Sequence, residues 1–342
     1  MPILPTAVLE RYERFSLYNS PYPAHDRGAA VDLYPPGVGY EPTAAPSPVA
    51  GTVVETRTVR CPAQPYADDS DHLLLIELSD PGAWAAPEGT VARILHVDPA
   101  VEAGDEVAVG ESLGRTVRSG FFGEWVANHL HVGIRSRESN HRRASGSLRL
   151  GLDDRLAVSP VAWDGTGTVV ETGPTHVRLD APAHPDPARR ETREGDPGFD
   201  GGIEPGTGSF AAIASDEGVP LDGGVVHYTG GGALDVHGRD EGTWGGNADG
   251  RPAEDDGIAG GPSDPKPRPL SLLGTRVGVA RGRDVDWDGI AVVANGRQVE
   301  GLSLFASRVQ YGAKLVAFDH EFAVGDEIGV ELRPTDDPVR LG

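Results

Sequence analysis

The chain is a long series of short apolar or alternating segments, each of which is followed by Gly, Pro or Asp. Alternation with a period of two is typical of half-buried β-strands, and these three residue types end strands by forming turns. Segments of this kind recur in the first part of the chain at 49–55, 73–78, 91–97, 106–109 and 129–135. The pattern predicts an all-β fold with few helices.

The second part of the chain has the same character. A hairpin is predicted at 167–179, and alternating strands are predicted at 276–280, 289–293, 301–307, 313–318 and 327–332. Two stretches rich in Pro, Gly and charged residues are predicted to be mobile. The resulting division is a first domain at 1–150, a β-hairpin extension at 151–181, a flexible linker at 182–208, and a β-rich C-terminal domain at 209–342 with a mobile loop at 238–269. The C-terminal domain carries no chemistry that its sequence identifies.

The net charge of the chain limits the classes of partner that it can bind. Its 342 residues include 52 acidic and 30 basic ones, for a formal net charge of -22, and its lysines are Lys266 and Lys314. Such an acidic, lysine-poor and glycine-rich composition resembles that of halophilic proteins from salt-rich cytosols, where carboxylates hold water and salt screens their repulsion. No basic patch is present to neutralise phosphates, so we expect no nucleic-acid partner.

Cysteine content and the N-terminus bear on the compartment. Cys61 is the single cysteine, which excludes a disulfide within the chain and a cysteine-type zinc site. The first ten residues have neither a basic segment nor a long apolar segment, and no run of about 18 apolar residues follows. We therefore expect a cytoplasmic protein without a membrane span. The sequence leaves its oligomeric state open.

Two histidines stand out in the segment 128–135. His129 and His131 are two residues apart in a predicted strand, so their side chains point to the same face. Both imidazoles would project into one space. This is the geometry of a metal site in which one ring binds the ion and the other handles a proton.

Several ordered pieces of the first domain resemble the lysostaphin/LytM-type zinc metallopeptidases, whose fold is the duplicated hybrid motif. The resemblance covers about residues 18–137. Its pieces are the segment 28–33 with Asp32, the strands at 42–55 and 73–78, the strand with His96, the glycine-punctuated hairpin at 101–114, and the closing His-Leu-His strand with His129 and His131. A His-x-His pair alone is weak evidence, but the order and spacing of the whole set are more specific. The resemblance implies an N-terminal β-sandwich or barrel of this type.

The resemblance also implies a role for each residue. Asp32 and His131 would be zinc ligands, because zinc accepts carboxylate oxygen and imidazole nitrogen. His129 would orient or deprotonate the water on the metal, and His96 would help to stabilise charge on the tetrahedral intermediate. The substrate would be a peptide bond, usually in Gly-rich or cross-linking peptides.

The first motif departs from the family pattern. The family places a histidine four residues before the aspartate, and in this chain that position is Gly28. The nearest candidate for the third ligand is His25, seven residues before Asp32. Seven is odd, so on one regular strand the two side chains would face opposite sides. A turn or bulge at 27–29 would restore the geometry, because glycine permits the required backbone angles.

Two functions remain open at this point. The first is a zinc-dependent metallopeptidase that hydrolyses peptide bonds through a metal-activated water. The alternative is a catalytically inactive module of the same fold that binds or scaffolds a protein partner, which the displaced first ligand favours. A biotinyl or lipoyl carrier domain is excluded, because Lys266 and Lys314 both lie outside the 101–114 hairpin that would have to carry the cofactor.

Overall fold

The computed structural model describes residues 1–37, 39–186, 209–235, 266–309 and 311–341, and this part of the chain is almost entirely β-structure. The all-β prediction is confirmed. The helices of the described residues are short: α1 is Thr6–Leu9, and a 3-10 helix spans Pro81–Trp84. No described helix has the length and apolar character needed to cross a lipid bilayer. Residues 187–208 of the predicted linker and 238–265 of the predicted loop lie outside the described residues.

The strands of the first part of the chain are β1 Ile3–Leu4, β2 Arg14–Ser16, β3 Val31–Tyr34, β4 Ala44–Pro46, β5 Gly51–Arg60, β6 Ser70–Leu78, β7 Val91–Leu95, β8 Val97–Pro99, β9 Glu106–Val107, β10 Ser112–Thr116, β11 Leu130–Arg135, β12 Gly151–Leu152 and β13 Val158–Val161. The strands of the second part are β14 Thr166–Gly173, β15 His176–Leu179, β16 Phe210–Ile213, β17 Leu221–Val225, β18 Gly230–Ala233, β19 Arg268–Leu272, β20 Thr275–Arg281, β21 Asp284–Trp287, β22 Ile290–Ala294, β23 Arg297–Val299, β24 Gly301–Leu304, β25 Ala306–Ser307, β26 Lys314–Val316 and β27 Glu327–Pro334.

A ten-stranded sheet carries the histidine motif. Its order is β13-β16-β25-β2-β3-β11-β7-β6-β5-β9, so β11 lies between β3 and β7. On β11 the alternate residues Leu130, Val132 and Ile134 are fully buried in the core. Because side chains alternate along a strand, His131 faces the opposite side of the sheet. Packing of the apolar residues therefore sets the direction of this histidine.

The hairpin predicted at 101–114 differs from the structure in its pairing. Both glycine turns form, with φ of 103° at Gly104 and 86° at Gly110. The segment between them, β9, pairs with β5, while β10 pairs with β8 and β4. The two-residue strand β9 extends the open edge of β5, so the loop bridges two sheets rather than folding back on itself.

A second sheet of twelve strands contains most of the second half of the chain, in the order β19-β20-β21-β18-β17-β24-β26-β15-β14-β27-β22-β23. The predicted hairpin at 167–179 forms as β14 and β15 and lies inside this sheet. Two small sheets complete the fold: β1 with β12, and β4 with β10 and β8.

The two halves of the chain share structure. Strands β16 and β25, from the second half, extend the ten-stranded sheet beside β2. Phe210, Leu234 and Ala306 from the second half are buried in the core of the first. The second half has its own larger core between its strands. The predicted domain limits stay a prediction, but the sheets show that the halves are joined through backbone pairing and a common core.

Candidate metal centre

Three potential ligand atoms converge on one face of the ten-stranded sheet. They are His25 Nε2, Asp32 Oδ1 and His131 Nδ1, which lie within 4.8 Å of one another. The pairwise distances are 3.3 Å from His25 to Asp32, 3.1 Å from His25 to His131, and 3.0 Å from His131 to Asp32. Ligands at about 2.0–2.1 Å from a tetrahedral zinc ion are separated by about 3.3 Å. The three atoms are therefore spaced as the ligands of one such ion are.

Strand register brings Asp32 and His131 together. β3 and β11 are antiparallel neighbours, and Asp32 is directly opposite His131. Side chains at opposed positions of an antiparallel pair lie on the same face, with their Cβ atoms about 5 Å apart. His129, two residues earlier, places its Nε2 3.6 Å from Asp32 Oδ1. Both histidines of the motif thus face the same carboxylate, as expected from their spacing.

His25 reaches the site from a turn rather than from a strand. The chain turns over residues 23–28, where the His25 amide donates to the Tyr22 carbonyl at 2.8 Å and Gly28 has φ of 56°. The turn removes the constraint that an odd spacing imposes on a regular strand. A Cβ at Gly28 would lie 2.9 Å from both Arg283 Nη2 and Tyr18 Oη. Backbone angle and space therefore both disfavour a side chain where the resembled family has its histidine.

Backbone hydrogen bonds orient two of the rings. His25 Nδ1 donates to the Leu17 carbonyl at 2.8 Å, and His129 Nδ1 donates to the Ala127 carbonyl at 2.9 Å. In the neutral ring the other nitrogen, Nε2, then carries a lone pair. Both Nε2 atoms face the Asp32 carboxylate, which is itself an acceptor. When the rings are neutral, the two Nε2 atoms and the Asp32 oxygen can only accept hydrogen bonds, and only His131 Nδ1 can carry a hydrogen. A bound cation would balance this excess of lone pairs.

Burial and charge set the protonation of these groups. His25, Asp32 and His129 are buried, at 0%, 3% and 2% exposure. Burial lowers the pKa of His129 and of His131 to about 4. Burial alone would raise the pKa of Asp32, but the neighbouring His25 and His129 hold it well below its usual value. At neutral pH the Asp32 carboxylate is therefore ionised and the His129 and His131 rings are neutral. Asp32 and His131 are thus in the forms that bind a metal.

The pKa of His25 is shifted the other way. Burial would lower it, but the Asp32 carboxylate and the bond to Leu17 raise it above the ordinary value. A proton on Nε2 would lie between the ring and the carboxylate and would compete directly with a metal ion. Metal affinity at this site is therefore expected to fall as the pH falls.

His96 lies beside the three candidate ligands and is held by a carboxylate. It follows β7 directly, with φ of 70°. Its Nδ1 is 2.5 Å from Asp71 Oδ2, and its amide donates to Asp71 Oδ1 at 3.0 Å. Ser119 Oγ donates to the same carboxylate at 2.7 Å. Burial opposes ionisation of Asp71, but His96 and these hydrogen bonds lower its pKa to about 2, so Asp71 is ionised and fixes the His96 ring.

Sequence reasoning did not identify Asp71. It precedes the apolar run of β6, and β6 pairs with β7 so that Leu73 is opposite Leu95. This register brings the start of β6 beside His96. The available signal was an acidic residue near the start of β6. Using it required the knowledge that β6 pairs with β7, the strand that leads to His96.

A pocket opens over His96, His129 and His131, and aromatic side chains form part of its walls. They include Tyr22, Phe121 and Phe122 from the first half and Tyr228 from the second half. Phe122 packs on His129 with ring centroids 4.7 Å apart. The second half of the chain therefore forms part of the candidate site, which the sequence did not predict.

Solved structures that resemble part of the chain include peptidases of the type noted from the sequence. The catalytic domain of the antimicrobial peptidase lysostaphin from Staphylococcus simulans is 20% identical, over 39% of this chain and 86% of that chain, with a TM-score of 0.23. The deep-sea M23 metalloprotease pseudoalterin is 14% identical, over 41% of this chain and 72% of that chain, with a TM-score of 0.26. Similarity at this level does not assign an activity.

A third similar structure is the SpoIIQ-SpoIIIAH pore-forming complex, at 17% identity over 40% of this chain and 85% of that chain, with a TM-score of 0.24. No curated protein matches the chain.

Family models match nearly the whole chain in two consecutive segments. Residues 3–152 match the domain of unknown function (DUF8155) N-terminal domain. Residues 159–333 match the DUF8155 C-terminal domain. The candidate ligands lie in the first segment, and Tyr228 lies in the second. The chain therefore belongs to the DUF8155 family and contains both of its domains in order.

Proposed function

We propose that this protein is a zinc-dependent hydrolase of peptide bonds, with His25, Asp32 and His131 as the metal ligands. The observation that supports this most strongly is the convergence of His25 Nε2, Asp32 Oδ1 and His131 Nδ1, which lie 3.0–3.3 Å apart and share at most one hydrogen while both rings are neutral. Burying acceptors in this way is unfavourable unless a cation or proton lies between them. The mixed nitrogen and oxygen donor set suits zinc.

Zinc bound by three protein ligands would supply Lewis-acid activation of a water molecule at its open position. The chain's own groups would move the protons. His129 Nδ1 is held by Ala127, so its Nε2 is the atom that would accept a proton from the attacking water. His96 would act as an imidazolium: its Nδ1 donates to Asp71, and a second proton on Nε2 would be donated to the oxygen on which negative charge develops. The aromatic walls would hold the peptide and exclude bulk water.

The second candidate is a metal-stabilised binding module without catalysis. Two observations favour it: His25 and His129 are buried, and Tyr228 from the second half closes one wall of the pocket. A site this enclosed would admit a peptide end or a small group more readily than the middle of a long chain. The partner would then be a protein or peptide that the pocket recognises without cleaving.

Metal content distinguishes these functions from a site that binds no metal. The protein would be purified in high salt without added metal or chelator, and its zinc would be measured by elemental analysis beside His131→Ala. We expect about one zinc per wild-type chain and its loss in the variant. His72→Ala is a matched control, because His72 lies on the same sheet but contacts Asp98 instead of the site.

The remaining outcomes separate the two candidates. Zinc-loaded protein that cleaves glycine-rich peptides, and loses that activity in His129→Ala, would support the hydrolase. Zinc-loaded protein that cleaves no peptide in a mixed library would support the binding module. A wild-type chain that takes up no zinc even when zinc is added back would contradict both.

A further inference from the structure

A buried carboxylate from the second half of the chain clamps the segment behind His25. Asp222 lies on β17 and is fully buried. It accepts three hydrogen bonds from the first half: from Ser16 Oγ at 2.6 Å, from the Leu17 amide at 2.6 Å and from the Tyr18 amide at 3.2 Å. Bonds between residues more than 200 positions apart must be formed by the tertiary structure.

The clamped segment in turn holds a candidate ligand. Leu17 is bound on both sides of its backbone: its amide donates to Asp222, and its carbonyl accepts from His25 Nδ1 at 2.8 Å. The second bond directs His25 Nε2 toward Asp32. A continuous path of hydrogen bonds thus runs from the second half, through one residue, to the proposed metal centre.

Among the proposed ligands, His25 depends most on such a path to orient its side chain. Asp32 and His131 are held by the opposed positions of two regular strands. His25 lies in a turn, so its ring has no strand register to direct it. The partner of Nδ1 therefore determines which nitrogen faces the site and where the ring points.

The same segment has a second attachment to the second half, through the side chain of Asn19. Asn19 Nδ2 donates to Ser303 Oγ at 2.7 Å and to the Leu304 carbonyl at 3.2 Å. This attachment belongs to the same interface but does not lie on the path to His25. It therefore offers a control for general loosening of the interface.

We propose that Asp222 is a positioning residue for His25, so that the C-terminal half completes the metal centre formed on the N-terminal sheet. The role of His25 as a ligand rests on the function proposed above. Its orientation by Asp222 does not, because the hydrogen bonds that define it involve no metal.

The test uses full-length Asp222→Ala, Asp222→Asn and Ser303→Ala. The first readout is the side-chain ¹⁵N NMR spectrum of the histidines in metal-free protein at a pH above the pKa of His25, which the Asp32 carboxylate raises. Wild-type His25 should show a protonated Nδ1 and an unprotonated Nε2. Asp222→Ala should convert this to a mixture of tautomers, whereas Ser303→Ala should leave it unchanged.

The second readout is zinc affinity, measured by chelator competition. Loss of an outer partner of a metal-binding histidine typically lowers affinity about 10–100-fold. That partner of His25 is the Leu17 carbonyl, and Asp222→Ala removes what holds Leu17 in place, so we expect a loss at the lower end of this range. Asp222→Asn should restore most of the affinity, because its Oδ1 can accept from both amides while Ser16 Oγ turns to accept from Nδ2. If Asp222 only stabilised the interface in general, Ser303→Ala should also lower zinc affinity. Rescue by Asp222→Asn together with wild-type affinity in Ser303→Ala would therefore support the positioning role.

Folded Asp222→Ala with wild-type His25 signals and wild-type zinc affinity would overturn the proposal. If that variant does not fold, Asp222→Ser, whose short side chain cannot span both amides, takes its place with the same expectations. A wild-type protein that binds no zinc would refute the proposed metal site, but the NMR comparison would still test the positioning of His25.

Discussion

The two halves of the molecule both bury histidines, but they arrange them differently. In the first half, His25, His129 and His131 surround one carboxylate, each with a ring nitrogen within 3.6 Å of Asp32 Oδ1. In the described part of the second half, buried histidines are dispersed. His227 is fully buried, and neither of its ring nitrogens has a hydrogen-bond partner.

His176 shows a third arrangement. It is buried at the contact between the halves, where its Nε2 lies 2.7 Å from Tyr40 Oη and 3.3 Å from Glu171 Oε1. A hydroxyl and a carboxylate therefore contact Nε2 of this ring, and its Nδ1 has no hydrogen-bond partner among the described residues. The comparison teaches that burial alone does not indicate a metal site. Convergence of several acceptors on one point, with too few hydrogens between them, is the more specific sign.

The strongest way to break this comparison is to neutralise the shared carboxylate. Asp32→Asn should lower zinc affinity by at least about 100-fold, because it replaces an anionic carboxylate ligand with a neutral amide oxygen, which binds zinc weakly. Isothermal titration with zinc would measure the change. Glu171→Gln is the matched control, because Glu171 contacts the buried His176, and it should leave zinc affinity unaltered. Equal losses in both variants would mean that the carboxylate beside His176 matters for zinc as much as Asp32 does.

The next largest effect should come from His129. His129→Ala should keep about one zinc per chain but lower kcat for peptide cleavage by about 10²–10⁴-fold, the usual contribution of a general base. Kinetics on a glycine-rich peptide, together with metal analysis, would separate the two properties. Loss of zinc in this variant would instead make His129 a ligand.

Acidification should destabilise the metal-free protein through the buried rings of His129 and His131. Burial lowers the pKa of His129 and His131 from 6.5 to about 4, so between these values the unfolded chain binds more protons than the folded one. The free energy of unfolding should therefore fall as the pH drops from 6.5 to about 4. His25, whose pKa is raised, acts in the opposite direction, since its contribution is present at low pH and is lost as the pH rises through its folded pKa.

Urea unfolding over a series of pH values would measure this slope. A variant with both His129→Gln and His131→Gln should lose less stability across the window, because Gln does not titrate. An unchanged slope would show that these two rings do not produce the acid sensitivity.

The smallest effect is expected in the second half. His227→Leu should raise the free energy of unfolding by about 1 kcal/mol, because it removes two buried polar atoms that make no hydrogen bond. Thermal or urea denaturation would detect the change, and zinc content should stay as in the wild type. Destabilisation by more than about 1 kcal/mol would indicate that the His227 ring has a polar partner that the structure does not show.

Local pattern was sufficient for much of the fold. The alternation around β11 predicted a strand, and the burial of Leu130, Val132 and Ile134 confirms which face is apolar. The strands predicted in the second half also form, from β20 to β27. These features were predictable because residues two apart on a strand share a face whatever the strand pairs with.

The roles given to Asp32, His131, His129, His96 and His25 stay predictions, but the structure brings all five residues together. The proximity of His25 was the least predictable from sequence, since it depends on the turn that ends at Gly28. Asp71 was missed because it reaches His96 through the pairing of β6 with β7. The sequence of one strand does not reveal which other strand lies beside it.

By itself, the sequence determined the β-class of the chain, the common face of His129 and His131, and the absence of a cysteine-based metal site. The tertiary structure alone decided that His25 faces Asp32, that Asp71 holds His96, that Asp222 anchors the segment behind His25, and that Tyr228 lines the pocket. The reason is physical: alternation along one strand depends on a few adjacent residues, whereas these contacts depend on where a turn directs a side chain, which strands pair and how two sheets pack.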